Sequence, residues 1–339
     1  MKALQLIKWK GVDGMEFRDI EAPKKESIKS TEVYIKVCAV SVNPIDWKTA
    51  DGMLRPFSSL KLPSTVGFDV SGTIEAVGSD VKELAVGDGV MSRLDSWGSF
   101  QEYVISEAKY VAKKPESVSL VESAGIPLVS LTVLKGIEDL GDKVKDFQNA
   151  FVTAGLGGVG SYATQVLQNV YNVPVTTTVS TKKVDKMQKL VPGIKVIDYK
   201  KEDYTEKLSQ VDFVFDTTGD LANEAKVVKN GAVVRSVGAT PPSNVISEKF
   251  GTPYCPVRWA LDLMSWKETR GFNGKNIDYE YFWLDCSAER LQRIAKYIDE
   301  GKVQVITDQI FEWSQAKEAF AKAKNGGVTG KVIIKVASD

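Results

Sequence analysis

Asn149-Ala150-Phe151-Val152-Thr153-Ala154-Gly155-Leu156-Gly157-Gly158-Val159-Gly160 is the stretch that decides how the chain reads. A β-prone run, Phe151-Val152-Thr153, turns at Gly155. It then enters a pattern in which Val159, Ala163, Val166, Leu167 and Val170 recur at three- and four-residue steps, the period of a helix. Gly155 to Gly160 fits G-x-G-x-x-G. In a strand–turn–helix the first glycine permits the tight turn and the second lets backbone approach a pyrophosphate. The third lets the helix pack on the strand, and the helix N-terminus offers free N–H groups and partial positive charge. Taken alone, the pattern also reads as a plain glycine turn. A second strand over residues 173–180 follows at the spacing of a βαβ unit, and together they predict a dinucleotide site.

The end of the second strand selects among nucleotides. An Asp or Glu about twenty residues past the glycines would hold the adenosine ribose hydroxyls. Here the place reads Thr178-Val179-Ser180-Thr181-Lys182-Lys183, with no acid in it. Hydroxyls followed by two cations suit a 2′-phosphate through charge-assisted bonds, which favours NADPH over NADH. A helix N-cap at Ser180 or Thr181 with solvated lysines accounts for the same residues, and both readings can hold together.

The rest of the composition sets bounds. A length of 339 residues suits two domains, each with its own core. Lys and Arg balance Asp and Glu at 44 each with no long run of one sign, so neither nucleic acid nor an anionic membrane is indicated. No apolar stretch is long enough to span a bilayer, and the N-terminus lacks a signal-peptide pattern. Cys38, Cys255 and Cys286 are scattered and odd in number, which points to reduced thiols in the cytoplasm. There is no histidine, so proton transfer must use Lys, Tyr, Asp, Glu, Cys, a cofactor hydroxyl or water.

Residues 1 to about 115 read as β, with strand-like runs at 3–9 and 33–42 and glycine punctuation at 67–78, 87–89 and 98. A small closed β-barrel is the economical reading. Asn43-Pro44-Ile45-Asp46-Trp47-Lys48 breaks the strand and begins a short helix. From Leu120, the series Ala124, Leu128, Leu131, Leu134 and Ile137 predicts one buried helix. Strands at 151–153, 175–179, 195–198, 213–216 and 233–237 then alternate with helices, the pattern of a doubly wound parallel sheet. An amphipathic piece at 259–266, an aromatic strand at 279–284, a capped helix at 287–301, and β runs at 303–311 and 331–336 flanking a last helix at 315–324 complete the chain.

Taken together, these features resemble the medium-chain dehydrogenase/reductase superfamily over essentially the whole length, and within it the zinc-free quinone oxidoreductase and enone (alkenal/one) reductase branch. The resemblance rests on Asn43–Lys48, Gly67-Phe68-Asp69-Val70-Ser71-Gly72, Val86-Gly87-Asp88, the Gly155–Gly160 loop, Ile197-Asp198-Tyr199 and Asp216-Thr217-Thr218-Gly219. It implies an α/β architecture: a GroES-like β-barrel catalytic domain over 1–126 and 286–339, and a Rossmann nucleotide-binding domain over 127–285. Zinc-dependent members carry a Cys where Asn43 stands and a His-Glu pair where Phe68-Asp69 stands, so no zinc set is expected here. The implied activity is hydride transfer from NADPH to an α,β-unsaturated carbonyl or a quinone. One-electron quinone reduction and a non-catalytic, NADPH-binding structural protein of the same fold are the alternatives.

On the cofactor side the resemblance implies Thr132 at the nicotinamide end, the loop Gly155, Gly157, Gly158, Val159 and Gly160, and Ser180, Thr181, Lys183 and Tyr199 at the adenosine phosphate. Thr217, Gly238 and Ala239 would follow the ribose and nicotinamide. Lys48 is the catalytic candidate, to hydrogen-bond an enolate oxygen or approach the cofactor ribose, against a solvated lysine on a short helix. Asn43, Trp47, Phe57, Tyr254 and Phe282 are candidates for the acceptor pocket. Each of the aromatic four is equally a core residue, and Asn43 with Asp46 suits a loop-shaping role. The family commonly pairs through the last strand of its nucleotide domain, and an exposed aromatic edge at 279–284 would favour a homodimer.

Overall fold

A computed structural model describes residues 1–57 and 60–336. The chain opens with β1 (Lys2–Leu6), β2 (Met15–Asp19) and β3 (Glu32–Val42), turns through α1 (Pro44–Ala50), and continues with β4 (Ser64–Thr65), β5 (Asp69–Val77), β6 (Gly89–Arg93), β7 (Tyr103–Glu107) and β8 (Val111–Lys113). Next come α2 (Leu120–Ser123), α3 (Pro127–Glu138), β9 (Ala150–Val152), α4 (Gly158–Gln165), β10 (Val175–Val179), α5 (Val184–Leu190), β11 (Lys195–Asp198), α6 (Tyr204–Lys207) and β12 (Val211–Asp216). The remainder is α7 (Leu221–Val227), β13 (Val228–Ser236), α8 (Ser243–Phe250), α9 (Cys255–Thr269), β14 (Asp278–Tyr281), α10 (Ala288–Asp299), β15 (Thr307–Glu312), α11 (Ala316–Asn325) and β16 (Lys331–Lys335). Two compact units result. One holds 1–55, 60–131 and 285–336, and the other holds 132–284 with 56–57. The first division falls inside α3, five residues past the expected 126/127, and the second one residue before the expected 285/286.

In the first unit β3 is the spine. It pairs antiparallel with β5 along its length, with β7 through Glu32 to Lys36 and with β16 through Ala39 to Val42. Val33, Ile35 and Val37 alternate inward and meet Leu4, Ile74, Phe100 and Phe320 in the core. Each such side chain, fully buried, contributes about 1.5–3 kcal/mol. The expected closed barrel is two sheets: β2-β1-β4, and a larger one ordered β15-β16-β3-β5-β6-β8. They meet at an isolated Ala3–Gln101 bridge and where Leu4 N–H donates to Phe100 C=O at 2.9 Å. The helix expected from Leu120 onward is two, because Pro127 starts α3 without an N–H to continue α2. The β run expected at 303 begins only at Thr307, since the N–H groups of Lys302 and Val303 both donate to Tyr297 C=O in the turn that ends α10.

The second unit is a six-stranded parallel sheet ordered β11-β10-β9-β12-β13-β14. The sequence of strands reverses between β9 and β12, and ligands of such sheets bind at the carboxyl ends of the strands there. All six residues of β12 are buried, as a central strand covered on both faces requires. At the sheet edge β14 is shorter than expected and its exposed residues are acids, Asp278 and Glu280, both ion-paired to Arg235 at 3.0 and 3.1 Å. The aromatic edge is therefore absent: Tyr279 and Tyr281 are half-buried and Phe282 is buried.

Candidate functional site

At the reversal point of the parallel sheet, the turn after β9 is held by backbone. Gly155 N–H donates to Thr178 C=O at 3.1 Å and Gly157 N–H to Ala154 C=O at 2.8 Å. The left-handed residue of this turn is Ala154, at φ 51°, and not Gly155. Gly155 is demanded by proximity instead, because a Cβ there would lie 2.2 Å from Thr177 Oγ1. Likewise a Cβ on Gly160 would lie 2.3 Å from the Ala154 carbonyl oxygen, so α4 packs directly on the turn. No side chain caps α4 at Gly157, and Gly157, Gly158 and Val159 are all partly exposed. The N–H groups at its N-terminus are thus available to an anion.

Beside it, Asp216 at the end of β12 organises two loops. Its Oδ1 accepts from the N–H of Thr218 at 2.8 Å and of Gly219 at 2.7 Å, and its Oδ2 accepts from Ser236 Oγ at 2.6 Å. Ser236 Oγ in turn accepts from Ala239 N–H at 3.1 Å. Thr217 Oγ1 donates to Thr153 C=O at 2.9 Å, which ties the β9 and β12 turns together. Gly238 sits so close to the other loop that a Cβ would reach Thr218 N at 2.4 Å. Behind them Glu224 is fully buried, and burial followed by the nearby Asp216 charge holds its carboxyl well above the usual carboxylate range.

At the end of β10, Ser180 precedes a 3-10 turn over Thr181–Lys183 without a side-chain cap, so the capping role expected of it is not made. Lys183 N–H donates to Ser180 C=O at 2.8 Å, and Thr181 and Lys182 are exposed. Tyr199 stands alongside, 52% exposed, its N–H donating to Val179 C=O at 3.1 Å. The structure also gives a place at this site to an acid that the sequence offered only within the Ile197-Asp198-Tyr199 motif. Asp198 ends β11 opposite Val179, accepts from the Thr181 hydroxyl and from Lys200 N–H, and is held ionised by these bonds. Its signal was the parallel pairing of β10 with β11, which no local motif displays. Thr132 is buried on α3.

In the first unit, Asn43, Asp46, Asp69 and Lys331 form a buried polar cluster, none more than 4% exposed. Asn43 Nδ2 donates to Asp69 Oδ2 at 2.9 Å, Ser41 Oγ donates to the same oxygen at 2.8 Å, and Leu128 N–H donates to Asp69 Oδ1 at 2.9 Å. The Lys331 ammonium donates to Asn43 Oδ1 and pairs with Asp69 at 3.6 Å. Asn43 N–H donates to Asp46 Oδ2 at 2.7 Å, starting α1. Burial pushes Asp46 up to about 7. These residues do not fit zinc. An amide, two carboxylates and a resident ammonium occupy the place, and Phe68, where a histidine would stand, lies between the Trp97 ring and the Arg93 guanidinium. Among the described residues no group of three His, Cys, Asp or Glu is disposed to hold a metal ion.

Lys48, two residues past Asp46, is half-buried, 5.7 Å from the centroid of the Trp47 ring, and has no side-chain hydrogen bond or ion pair among the described residues. Desolvation lowers its pKa. The acceptor-pocket candidates divide between the units: Asn43 and Trp47 belong to the first, and Phe57, Tyr254 and Phe282 to the second. Asn43 is committed to the buried cluster, and Phe282 lies in the core of the second unit against Gly136 and 6.1 Å from the Phe215 ring. Trp47 packs on the first unit's core, Phe57 is half-buried, and Tyr254 is 66% exposed ahead of α9.

Comparison with known proteins supplies the relatives. Residues 29–116 match the alcohol dehydrogenase GroES-like domain, and residues 194–334 match a zinc-binding dehydrogenase family. A 2-methylene-furan-3-one reductase of Solanum lycopersicum is 30% identical over 98% of this chain and 79% of its own. The chloroplastic NADPH-dependent alkenal/one oxidoreductase of Arabidopsis thaliana is 30% identical with the same coverage. The quinone oxidoreductase from Coxiella burnetii superposes with a TM-score of 0.82 at 26% identity, over 99% of both chains.

Proposed function

Because the chain belongs to the zinc-free quinone oxidoreductase and alkenal/one reductase branch of the medium-chain dehydrogenase/reductase superfamily, we propose that it reduces α,β-unsaturated carbonyls or quinones with NADPH. The observation that carries this reading is the cradle of the second unit, with free N–H groups at α4, two loops gathered by Asp216 and a hydroxyl–lysine cluster at the end of β10. The residues present fit a dinucleotide. Gly157, Gly158, Val159 and Gly160 would hold the pyrophosphate, Thr217, Gly238 and Ala239 the ribose and nicotinamide side, with Thr132 at the nicotinamide end. Ser180, Thr181, Lys183 and Tyr199 would hold the phosphorylated adenosine. Lys182, Lys183, Lys200 and Lys201 outnumber Asp198 there, which supports the 2′-phosphate.

The bound cofactor supplies a hydride for the electron-poor β-carbon of the acceptor. What the chain contributes is orientation and a donor for the oxygen that becomes negative. Lys48 fills that part best: its ammonium is half-desolvated, has no side-chain hydrogen bond or ion pair among the described residues, and sits on a helix pinned by Asn43 and Asp46. A desolvated donor bonds a developing enolate more strongly than a solvated one. Water then protonates the α-carbon, and with no histidine in the chain the proton does not come from an imidazole. We also assign a reducing, cytosolic setting to its three free cysteines and a homodimer through the unpaired backbone edge of β14.

Consumption of NADPH over a panel of enones, enals and quinones, in the presence of a chelator, tests the activity. Saturable turnover with at least one class is expected. NADPH binding without oxidation across the panel would leave a binding protein.

A further inference from the structure

α9 (Cys255–Thr269) is amphipathic with its apolar stripe facing outward. Ser265 is its one fully buried residue, whereas Trp259, Leu263 and Trp266 are 75%, 52% and 55% exposed. These three fall at i, i+4 and i+7, a single stripe along the helix. Monomeric proteins rarely leave two tryptophans and a leucine in one such stripe without a partner surface.

Charge identifies the partner. Both acids of the helix are committed to neighbouring segments: Asp262 accepts from Ser243, at the start of α8, through its N–H at 2.8 Å and its hydroxyl at 2.9 Å, and Glu268 accepts from Thr240 N–H at 2.8 Å and its hydroxyl at 2.7 Å. Arg258, Lys267 and Arg270 are exposed, and their side chains have no ion pair among the described residues. A balanced chain thus presents a local face of tryptophan, leucine and unpaired cations.

We propose that α9 docks this protein peripherally on an anionic phospholipid bilayer, with Trp259, Leu263 and Trp266 entering the headgroup boundary and the three cations meeting lipid phosphates. Tryptophan favours that boundary, and basic residues beside it add attraction to anionic lipid. The helix has 15 residues, too few to cross a bilayer, so it lies along the surface. Isologous pairing of this stripe with a second copy would set its cations near their own copies, which disfavours self-association.

The test is co-sedimentation of the full chain with vesicles of phosphatidylcholine alone and of phosphatidylcholine mixed with phosphatidylglycerol, at low and high salt. Binding to the mixed vesicles at low salt with a blue-shifted tryptophan emission is expected, weaker by roughly tenfold or more on the neutral vesicles and in high salt. A Trp259→Ser, Leu263→Ser, Trp266→Ser variant, with unchanged circular dichroism because these side chains are exposed, should lose the binding. The proposal fails if the wild type sediments with neither vesicle or if the variant sediments like the wild type. It also fails if the substitutions instead convert a dimer into a monomer, or abolish capture of an acidic protein partner while vesicle binding is nil.

Discussion

Lys331 and Asp69 are the residues on which the first unit's polar interior turns. Lys331→Met leaves Asp69 buried without its counter-charge, and breaking such a pair costs about 3–5 kcal/mol. The double variant Asp69→Asn, Lys331→Met removes both charges, and urea unfolding should show most of that loss restored. Asp46 adds a pH dependence whose sign is set by its raised folded value, about 7 against an ordinary 3.8. Stability from this group is complete below about 3.8 and is lost as pH rises through about 7. Asp46→Asn keeps an acceptor for Asn43 N–H and should flatten the fall, as thermal melts from pH 4 to 8 would reveal. Lys48→Ala should lower kcat by about 10²-fold, the scale of one lost donor to a developing oxyanion, with NADPH affinity unchanged. Asn43 and Asp46 were legible as loop-shaping residues, because an Asn-Pro-x-Asp segment starts a helix by local bonds. Lys331 was not, because the ammonium meets Asn43 from 288 residues away.

At the scale of elements, the turn between β9 and α4 leaves no room at two positions. Gly155→Val would drive a side chain into Thr177, and Gly160→Ala would meet the Ala154 carbonyl. Both should raise the NADPH dissociation constant by tenfold or more in fluorescence titration, about 1.4 kcal/mol or above. Reversing charge after β10 should act differently. Lys182→Glu with Lys183→Glu should weaken NADPH by about tenfold and leave NADH nearly unmoved, since only the former brings a phosphate to those cations. The strands at 175–179 and 195–198 match their expected bounds, the first because an unbroken β-branched run, Val-Thr-Thr-Thr-Val, has few other solutions. The break between α2 and α3 was hidden by an apolar series that continues across Pro127. The turn expected at Gly155 begins one residue earlier, since Ala154 is the residue with positive φ.

For the molecule as a whole, two units with separate cores follow from the change of hydrophobic period near residue 120, and this much was plain in the sequence. Surface properties were not, because they depend on which side chains turn away from one another: the aromatic residues of β14 and the following Phe282 tuck inward, while those of α9 turn outward. The free edge of β14 carries acids tied to Arg235, so its pairing would rest on backbone bonds rather than on apolar burial. Sedimentation equilibrium should give a dimer, and a monomer mass at working concentration would contradict pairing through this edge. The central claim, metal-free delivery of hydride from NADPH to an activated carbon, is tested most directly by turnover of C4-deuterated NADPH with a simple enone in chelator. Deuterium found by NMR on the carbon β to the carbonyl is the predicted result. Product lacking deuterium at that carbon, or NADPH left unconsumed while bound, would contradict it.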